Sequence, residues 1–257
     1  MTDTKVVFWD VYGTLVVAER GDLNSLVRRE AELRTAFERT VKNFGLSVAP
    51  AQLHHLFIRG IQAERELRRT EGQAHPEIRV DEIWFKLLEK FQGDASPTIN
   101  FAREVALFFE QQANPKQFQP RAYEVLIALH DRRMRQGIIS NAQFYTPIEL
   151  STMLRHESDG AVCTYESVFD PRFVFFSFEV GVAKPDDAAF RPAIESLTRE
   201  NIMPDECVFI GDSLVDDIAP AQHMGFKTVL YAPAGTPESS IQPDLVIHNL
   251  SQLLEWL

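Results

Sequence analysis

The sequence predicts an α/β fold: a mostly parallel sheet covered by helices, with an all-helical domain inserted after the first strand. Three observations predict it. Short, continuous apolar runs such as Val6–Trp9 and Cys207–Ile210 read as strands buried on both faces. Helical patterns separate most of these runs, as crossovers in a parallel sheet require. Between the first run and the second, residues 18–117 carry helical periodicity and almost no strand signal.

The elements follow in order. Val6-Val7-Phe8-Trp9 is a strand that ends at Asp10, before Gly13. Asp22 and Asn24 are candidate caps for an amphipathic helix whose apolar positions run from Leu23 to Phe44, ended by Gly45. Ser47 and Pro50 open a second helix, with Leu53, Phe57 and Ile61 on one face and Arg59, Arg65, Arg68 and Arg69 on the other. Gly72, His75 and Pro76 break it. Asp81 is expected to cap a third helix with Ile83, Trp84, Leu87 and Leu88 inward. Residues 93–97 read as a loop, and a fourth helix runs from Ile99 to Gln112.

After residue 117 helices and strands alternate. Helices are expected around Tyr123–Leu129, Ile148–Arg155, Phe190–Leu197, Ile218–Met224 and Leu250–Leu257. Strands are expected at Gly137–Ile139, Phe173–Phe176, Cys207–Ile210, Thr228–Tyr231 and Leu245–Ile247. The simplest architecture is a Rossmann-like three-layer α/β/α core of residues 1–17 and 118–257, with residues 18–117 as the inserted helical domain.

Composition narrows the function. The 257 residues are 45% hydrophobic, enough for a substantial core, and 19 are Phe. The net charge of −11, without a basic run, argues against nucleic-acid or anionic-membrane partners. No apolar stretch reaches the ~18 residues that span a bilayer. The acidic N-terminal stretch does not resemble a secretory leader, and Cys163 and Cys207 sit in no metal-like spacing, so a reducing cytoplasm is expected.

Four strand ends carry polar groups of a matched kind. They are Asp10 after strand one, Ser140-Asn141 after strand two, Lys184 in the loop after strand three, and Asp212 with Asp216 and Asp217 after strand four. In a parallel sheet all carboxyl ends lie on one edge, where α/β sheets bind ligands. Taken one at a time, each is ordinary: an Asx turn, a helix cap, a solvated lysine. Together they suit one chemistry. Asp10 and Asp212 can hold a hard divalent cation such as Mg²⁺ through oxygen, with Asp216 or Asp217 orienting its waters. Ser140, Asn141 and Lys184 supply donors and positive charge for a phosphoryl group. Asp10 can then attack phosphorus.

The four motifs together resemble the haloacid dehalogenase (HAD) superfamily over nearly the whole chain. Asp10-Val-Tyr12-Gly-Thr14-Leu matches its first motif and Ile-Ile-Ser140-Asn141 its second. Gly181-Val-Ala-Lys184-Pro185-Asp186 matches the third, and Gly211-Asp212-Ser213-Leu-Val-Asp216-Asp217 the fourth. The helical insertion resembles the family's C1 cap, which covers the site and selects substrate. The resemblance implies a hydrolase acting on a small phosphorylated or other anionic metabolite. It makes Asp10 nucleophile and metal ligand, the main-chain carbonyl of Tyr12 a second ligand and Asp212 a third. Thr14 and Ser140 would bind phosphate, and Lys184 would stabilise both Asp10 and phosphate.

One position departs. Phosphatases of this superfamily carry an acid two residues after the nucleophile, where this chain has Tyr12. A phenol with a reference pKa of about 10 is a poor base near neutrality, and general acid–base help contributes ~10²–10⁴-fold. Either the phosphatase is slow, or the acid comes from elsewhere, such as the cap. Tyrosine there also resembles L-2-haloacid dehalogenases, which displace halide at carbon without a metal but lack the acidic pair of motif four. A weakly active or non-catalytic member that binds a ligand or partner is a third reading. In the cap, Arg59, Arg68, Arg69 and His75 read as a solvated helix face that could also meet an anion. Trp84, Phe101, Phe108 and Phe109 read as core, and Arg20 lies nearer motif one. Substrate identity and oligomeric state are not legible.

Overall fold

The structure, a computed structural model, describes residues 4–18, 30–91 and 96–257. Arg20, the candidate caps Asp22 and Asn24, the start of the first helix and most of the 93–97 loop lie outside the described residues. The chain divides into two compact units. One comprises Met1–Val17, Gln117–Ala142 and Thr146–Leu257; the other comprises Ala18–Lys116 and Gln143–Tyr145.

The first unit is built on a six-stranded, wholly parallel sheet. Its strands are β1 (Val6–Trp9), β4 (Arg135–Ser140), β5 (Val174–Phe176), β6 (Cys207–Gly211), β7 (Lys227–Tyr231) and β8 (Leu245–Ile247), in the order β5-β4-β1-β6-β7-β8. A short pair, β2 (Val16–Ala18) and β3 (Lys116–Phe118), forms a separate two-stranded sheet. Neither was expected: Val16–Ala18 follows directly on the turn after β1, and Lys116-Gln117-Phe118 carries a single apolar residue.

Strand periodicity of two explains the layers. Val7 and Trp9 point to one face and pack with Ile138, Val208 and Ile210 against Val125, Leu129 and Leu154. These belong to α5 (Ala122–Asp131) and α6 (Thr146–Glu157). Val6 and Phe8 point to the other face, where Cys207 and Phe209 join Phe190, Ala193 and Leu197. The last two lie on α8 (Arg191–Arg199), after the short α7 (Ser177–Val180). Burial first of all pushes the Cys207 thiol up to about 12, so it packs as an inert hydrophobe. Trp9 donates its indole N–H to Gln136, which donates onward to the Leu126 carbonyl, so this buried polar pair is satisfied. The expected closing helices are each entered through an irregular turn: Leu214–Ile218 runs into α9 (Ala219–His223), and the 3-10 turn Leu250–Gln252 runs into α10 (Leu253–Trp256).

The second unit holds α1 (Glu30–Phe44), α2 (Pro50–Thr70), α3 (Val80–Phe91) and α4 (Ile99–Ala113). Its core is aromatic. Phe37, Phe57, Trp84 and Phe109 pack with ring centroids 4.5 to 6.2 Å apart. Such pairs add ~0.5–1.5 kcal/mol each beyond area burial. Thr98 caps α4, accepting from the Phe101 amide at 3.2 Å.

Asp81 does not occupy the N-cap position of α3, although its Oδ1 accepts from the Glu82 amide at 3.1 Å. The helix begins one residue earlier, and the Val80 amide is taken by the Gln143 side-chain oxygen at 3.1 Å. Gln143 also donates to Glu77 at 2.7 Å and to the Ile78 carbonyl at 2.8 Å. A segment that follows motif two thus belongs to the helical unit by its contacts. No helix among the described residues is long and apolar enough to cross a membrane.

Candidate active site

The turn after β1 creates the site. The Asp10 amide donates to the Ile210 carbonyl, continuing the ladder one step past the strand. The chain then folds back, with the Leu15 and Val16 amides both donating to the Val11 carbonyl and the Gly13 amide to the Val16 carbonyl. Gly13 has φ +94°, and a Cβ there would lie 2.1 Å from Asp212 Oδ2. Only glycine lets the Asp212 carboxylate rest on this turn. A Gly13→Ala variant is expected to push Asp212 away from Asp10, lose roughly 1–3 kcal/mol of stability through backbone strain and weaken divalent-cation binding. Denaturant unfolding and a Mg²⁺ titration check this.

Asp10 sits at the centre and is 5% exposed. Its Oδ1 accepts from the Lys184 ammonium at 2.7 Å and from the Ser140 hydroxyl at 3.0 Å. Its Oδ2 is buried without a hydrogen-bond partner. Ser140, at the end of β4, also accepts from the Val11 amide at 3.3 Å. Asn141 clamps the backbone of Lys184 from both sides: it donates to its carbonyl at 3.0 Å and accepts from its amide at 2.7 Å. Asn141 is therefore a positioning residue for the lysine. Thr14 is 0% exposed, and its hydroxyl is buried without a partner.

The turn after β6 delivers the remaining acids. Residues Leu214–Ile218 form one wide helical turn, in which the Ile218 amide reaches the Ser213 carbonyl five residues back. Such widened turns are concentrated at functional sites. This turn sends Asp217 inward and Asp216 outward. Buried Asp217 accepts from Lys184 at 2.5 Å and from the amides of Asp212 and Ser213 at 3.1 and 3.0 Å. A Cβ on Gly211 would lie 2.4 Å from the Asp217 side chain, so this approach also depends on glycine. Exposed Asp216 bonds only locally, with the Ser213 hydroxyl at 3.2 Å. Carboxylate oxygens of Asp10, Asp212 and Asp217 lie within 4.8 Å of one another, and among the described residues Asp216 does not join them.

Electrostatics follow from this crowding. Burial raises the Asp10 carboxyl to about 6; Asp217 adds to the rise, while Lys184 and Ser140 oppose it. Asp212, at the exposed mouth, is raised to about 7 by desolvation, then by the charges of Asp10 and Asp217. Burial works against the Lys184 charge, but Asp10 and Asp217 outweigh it and hold the ammonium above its ordinary value. Three acids around one lysine leave an excess of negative charge, a set that fits a hard divalent cation. The unpartnered Oδ2 of Asp10 is the atom most clearly lacking a ligand.

The Tyr12 side chain leaves this centre. Its hydroxyl is 2.8 Å from the Thr146 hydroxyl and donates to Glu149 at 3.4 Å, both on α6. Sequence reasoning missed Thr146 and Glu149, because nothing local ties them to motif one more than 130 residues earlier. It also missed Gly13 as the seat of Asp212, although a glycine directly after a candidate metal ligand was the available signal.

Comparison with known proteins bears on the family and the fold. The family model for haloacid dehalogenase-like hydrolases matches residues 4–225. Glyceraldehyde 3-phosphate phosphatase of Pyrococcus furiosus is 32% identical over 143 residues, 54% of this chain and 53% of that protein, so the match spans about half of that relative. Haloacid dehalogenase-like hydrolase domain-containing protein 3 of Xenopus laevis is 25% identical over 98% of this chain and 95% of its own. Among solved structures, the 2-haloacid dehalogenase of Pseudomonas syringae pv. Tomato DC3000 superposes with a TM-score of 0.61 at 25% identity, covering 98% and 96% of the two chains.

Proposed function

Because the chain belongs to the haloacid dehalogenase-like hydrolases, we propose that it is a Mg²⁺-dependent phosphatase working through an aspartyl-phosphate on Asp10. The observation that carries this reading is the convergence of Asp10, Asp212 and Asp217 on one point beside Lys184. Dehalogenation at carbon needs the nucleophile and a positive group, but gains nothing from two further acids facing it. Lys184 compensates one of these charges, and the remaining one repels Asp10 unless a further cation lies beside it.

Asp10, Asp212 and the Tyr12 carbonyl would hold the ion, with Asp217 fixing the loop that presents Asp212. When bound, Mg²⁺ supplies charge neutralisation between nucleophile and phosphoryl group. Lys184 keeps the Asp10 carboxylate ionised and fixed, so that one of its oxygens can attack phosphorus. Ser140 and Thr14 would contact the phosphate, and Asn141 would act through Lys184, whose backbone it holds. The bond from phosphorus to the leaving oxygen breaks as the Asp10 oxygen–phosphorus bond forms, and water then cleaves the acyl phosphate.

Tyr12 places no carboxylic acid at the leaving group, and its hydroxyl is engaged by Thr146 and Glu149. The probe of choice is therefore 4-nitrophenyl phosphate, whose leaving group departs without a proton. Turnover that requires Mg²⁺ supports the reading. Tyr12 and the 2-haloacid dehalogenase likeness favour dehalogenation as a second reading, which predicts chloride release from 2-chloropropionate without metal.

Metal dependence has a sign that can be tested without turnover. In the metal-free protein Asp10 and Asp212 stand at about 6 and about 7, above the ordinary carboxylate value of 3.8. The folded state therefore keeps protons that the unfolded state has released, and stability falls as pH rises from about 4 to 7. A cation that replaces those protons stabilises most above that window. Melting curves are expected to show a larger Mg²⁺-induced rise in Tm at pH 8 than at pH 5.5. An equal or absent shift would count against the ion site.

A further inference from the structure

Within the helical unit, Arg103 on α4 is held at two points. Its Nε donates to Asp81 Oδ2 at 2.9 Å, and its guanidinium carbon stands 5.5 Å from the centre of the Phe144 ring. Asp81 is buried, and Arg79 holds it as well, through Nε at 3.2 Å and a terminal nitrogen at 2.8 Å. Desolvation opposes the Asp81 charge, but these arginine bonds outweigh it and keep the carboxyl below its ordinary value. The Arg79 side chain also reaches Glu82 at 3.5 Å. Phe144 is buried next to Gln143, whose three bonds to Glu77, Ile78 and Val80 fix the segment that carries it.

Arg103 is thus oriented at two points, by a buried carboxylate at Nε and by an aromatic face under its plane. An arginine has five N–H donors, and the Asp81 bond uses one. Among the described residues the two terminal nitrogens of Arg103 donate to no protein group, and the side chain is 40% exposed. A surface arginine with a merely solvating role gains nothing from this double anchoring. A planar fork held in advance with its terminal donors open matches the geometry of a carboxylate or phosphate.

We propose that Arg103 is the recognition residue of a small-oxyanion site, positioned by Asp81 and Phe144, that takes a carboxylate or phosphate group. The ligand is a free anion, and its binding does not depend on the phosphatase reading above.

The experiment uses the full chain and the Arg103→Lys variant, which keeps the charge and loses the fork. The Arg103 Nε–Hε resonance, assigned by its loss in that variant, is followed while malonate or inorganic phosphate is added against a chloride control of equal ionic strength. A saturable shift is expected, with affinity at least about 10-fold weaker in Arg103→Lys when read from neighbouring amides. The absence of any saturable shift overturns the proposal, even if the enzyme turns over. A saturable shift in a protein that hydrolyses no phosphate ester would leave the site standing and remove the phosphatase reading.

Discussion

Asp10→Asn is expected to lower turnover of 4-nitrophenyl phosphate by at least about 10⁴-fold, the scale at which losing a nucleophile acts, while leaving the protein folded. The amide is isosteric with the carboxylate but cannot form the acyl phosphate. The effect on stability separates chemistry from packing. In the metal-free site Asp10 is crowded by Asp217 and lies close to Asp212, and burial already raises it to about 6. Removing its charge relieves that crowding, and Lys184 keeps a carboxylate partner in Asp217 at 2.5 Å. The variant should therefore melt no lower than the parent at pH 8 without metal, and its Mg²⁺-induced rise in Tm should shrink. A variant that loses activity only because it unfolds would show the opposite. Steady-state rates and melting curves on the same samples make the distinction.

Lys184→Met is expected to be the most destabilising single change in the core unit. The lysine is 5% exposed and bridges two buried carboxylates at 2.7 and 2.5 Å. Methionine fills similar volume and leaves Asp10 facing Asp217 uncompensated. Breaking one partner out of a buried ion pair costs about 3–5 kcal/mol, which for a chain of this size lowers Tm by roughly 10 °C. The pH dependence identifies the cause. Without the ammonium the Asp10 carboxyl rises further above its unfolded value, so the folded state binds its proton more tightly than the unfolded one. Stability relative to the parent then falls as pH rises and partly recovers in acid. A loss independent of pH would point to packing instead. Turnover should fall with stability restored, since Asp10 is then neither held nor kept ionised. Acidic pH or Mg²⁺ can be used to keep the variant folded during the assay.

Much of this arrangement is visible in the residues. Strands such as Val6–Trp9 and Cys207–Gly211 are buried on both faces, so continuous apolar runs mark them without help from tertiary context. Their carboxyl ends share an edge by topology, which is why Asp10, Ser140, Lys184 and Asp217 could be grouped before any geometry was known. What sequence does not carry is the direction of a side chain within an irregular turn. Asp216 and Asp217 are adjacent and chemically equal, and only the five-residue reach from Ile218 back to Ser213 turns one inward and the other out. The Asp81 cap failed for a different reason. The acid lies at the start of α3 in a pattern that suits a cap, yet the Val80 amide finds its acceptor in Gln143, 63 residues away. Asp81 is left to organise Arg79 and Arg103. Tyr12 was legible as an anomaly but not as a contact, because Thr146 and Glu149 meet it only through the fold.

The central claim is that phosphoryl transfer passes through Asp10. It is tested most directly by quenching the protein in acid during turnover of a phosphate ester with Mg²⁺, then mapping the phosphorylated peptide. One phosphoryl group is expected on the peptide containing Asp10, present only with Mg²⁺ and absent in Asp10→Asn. Phosphoryl on any other residue, or full turnover by Asp10→Asn, would contradict it.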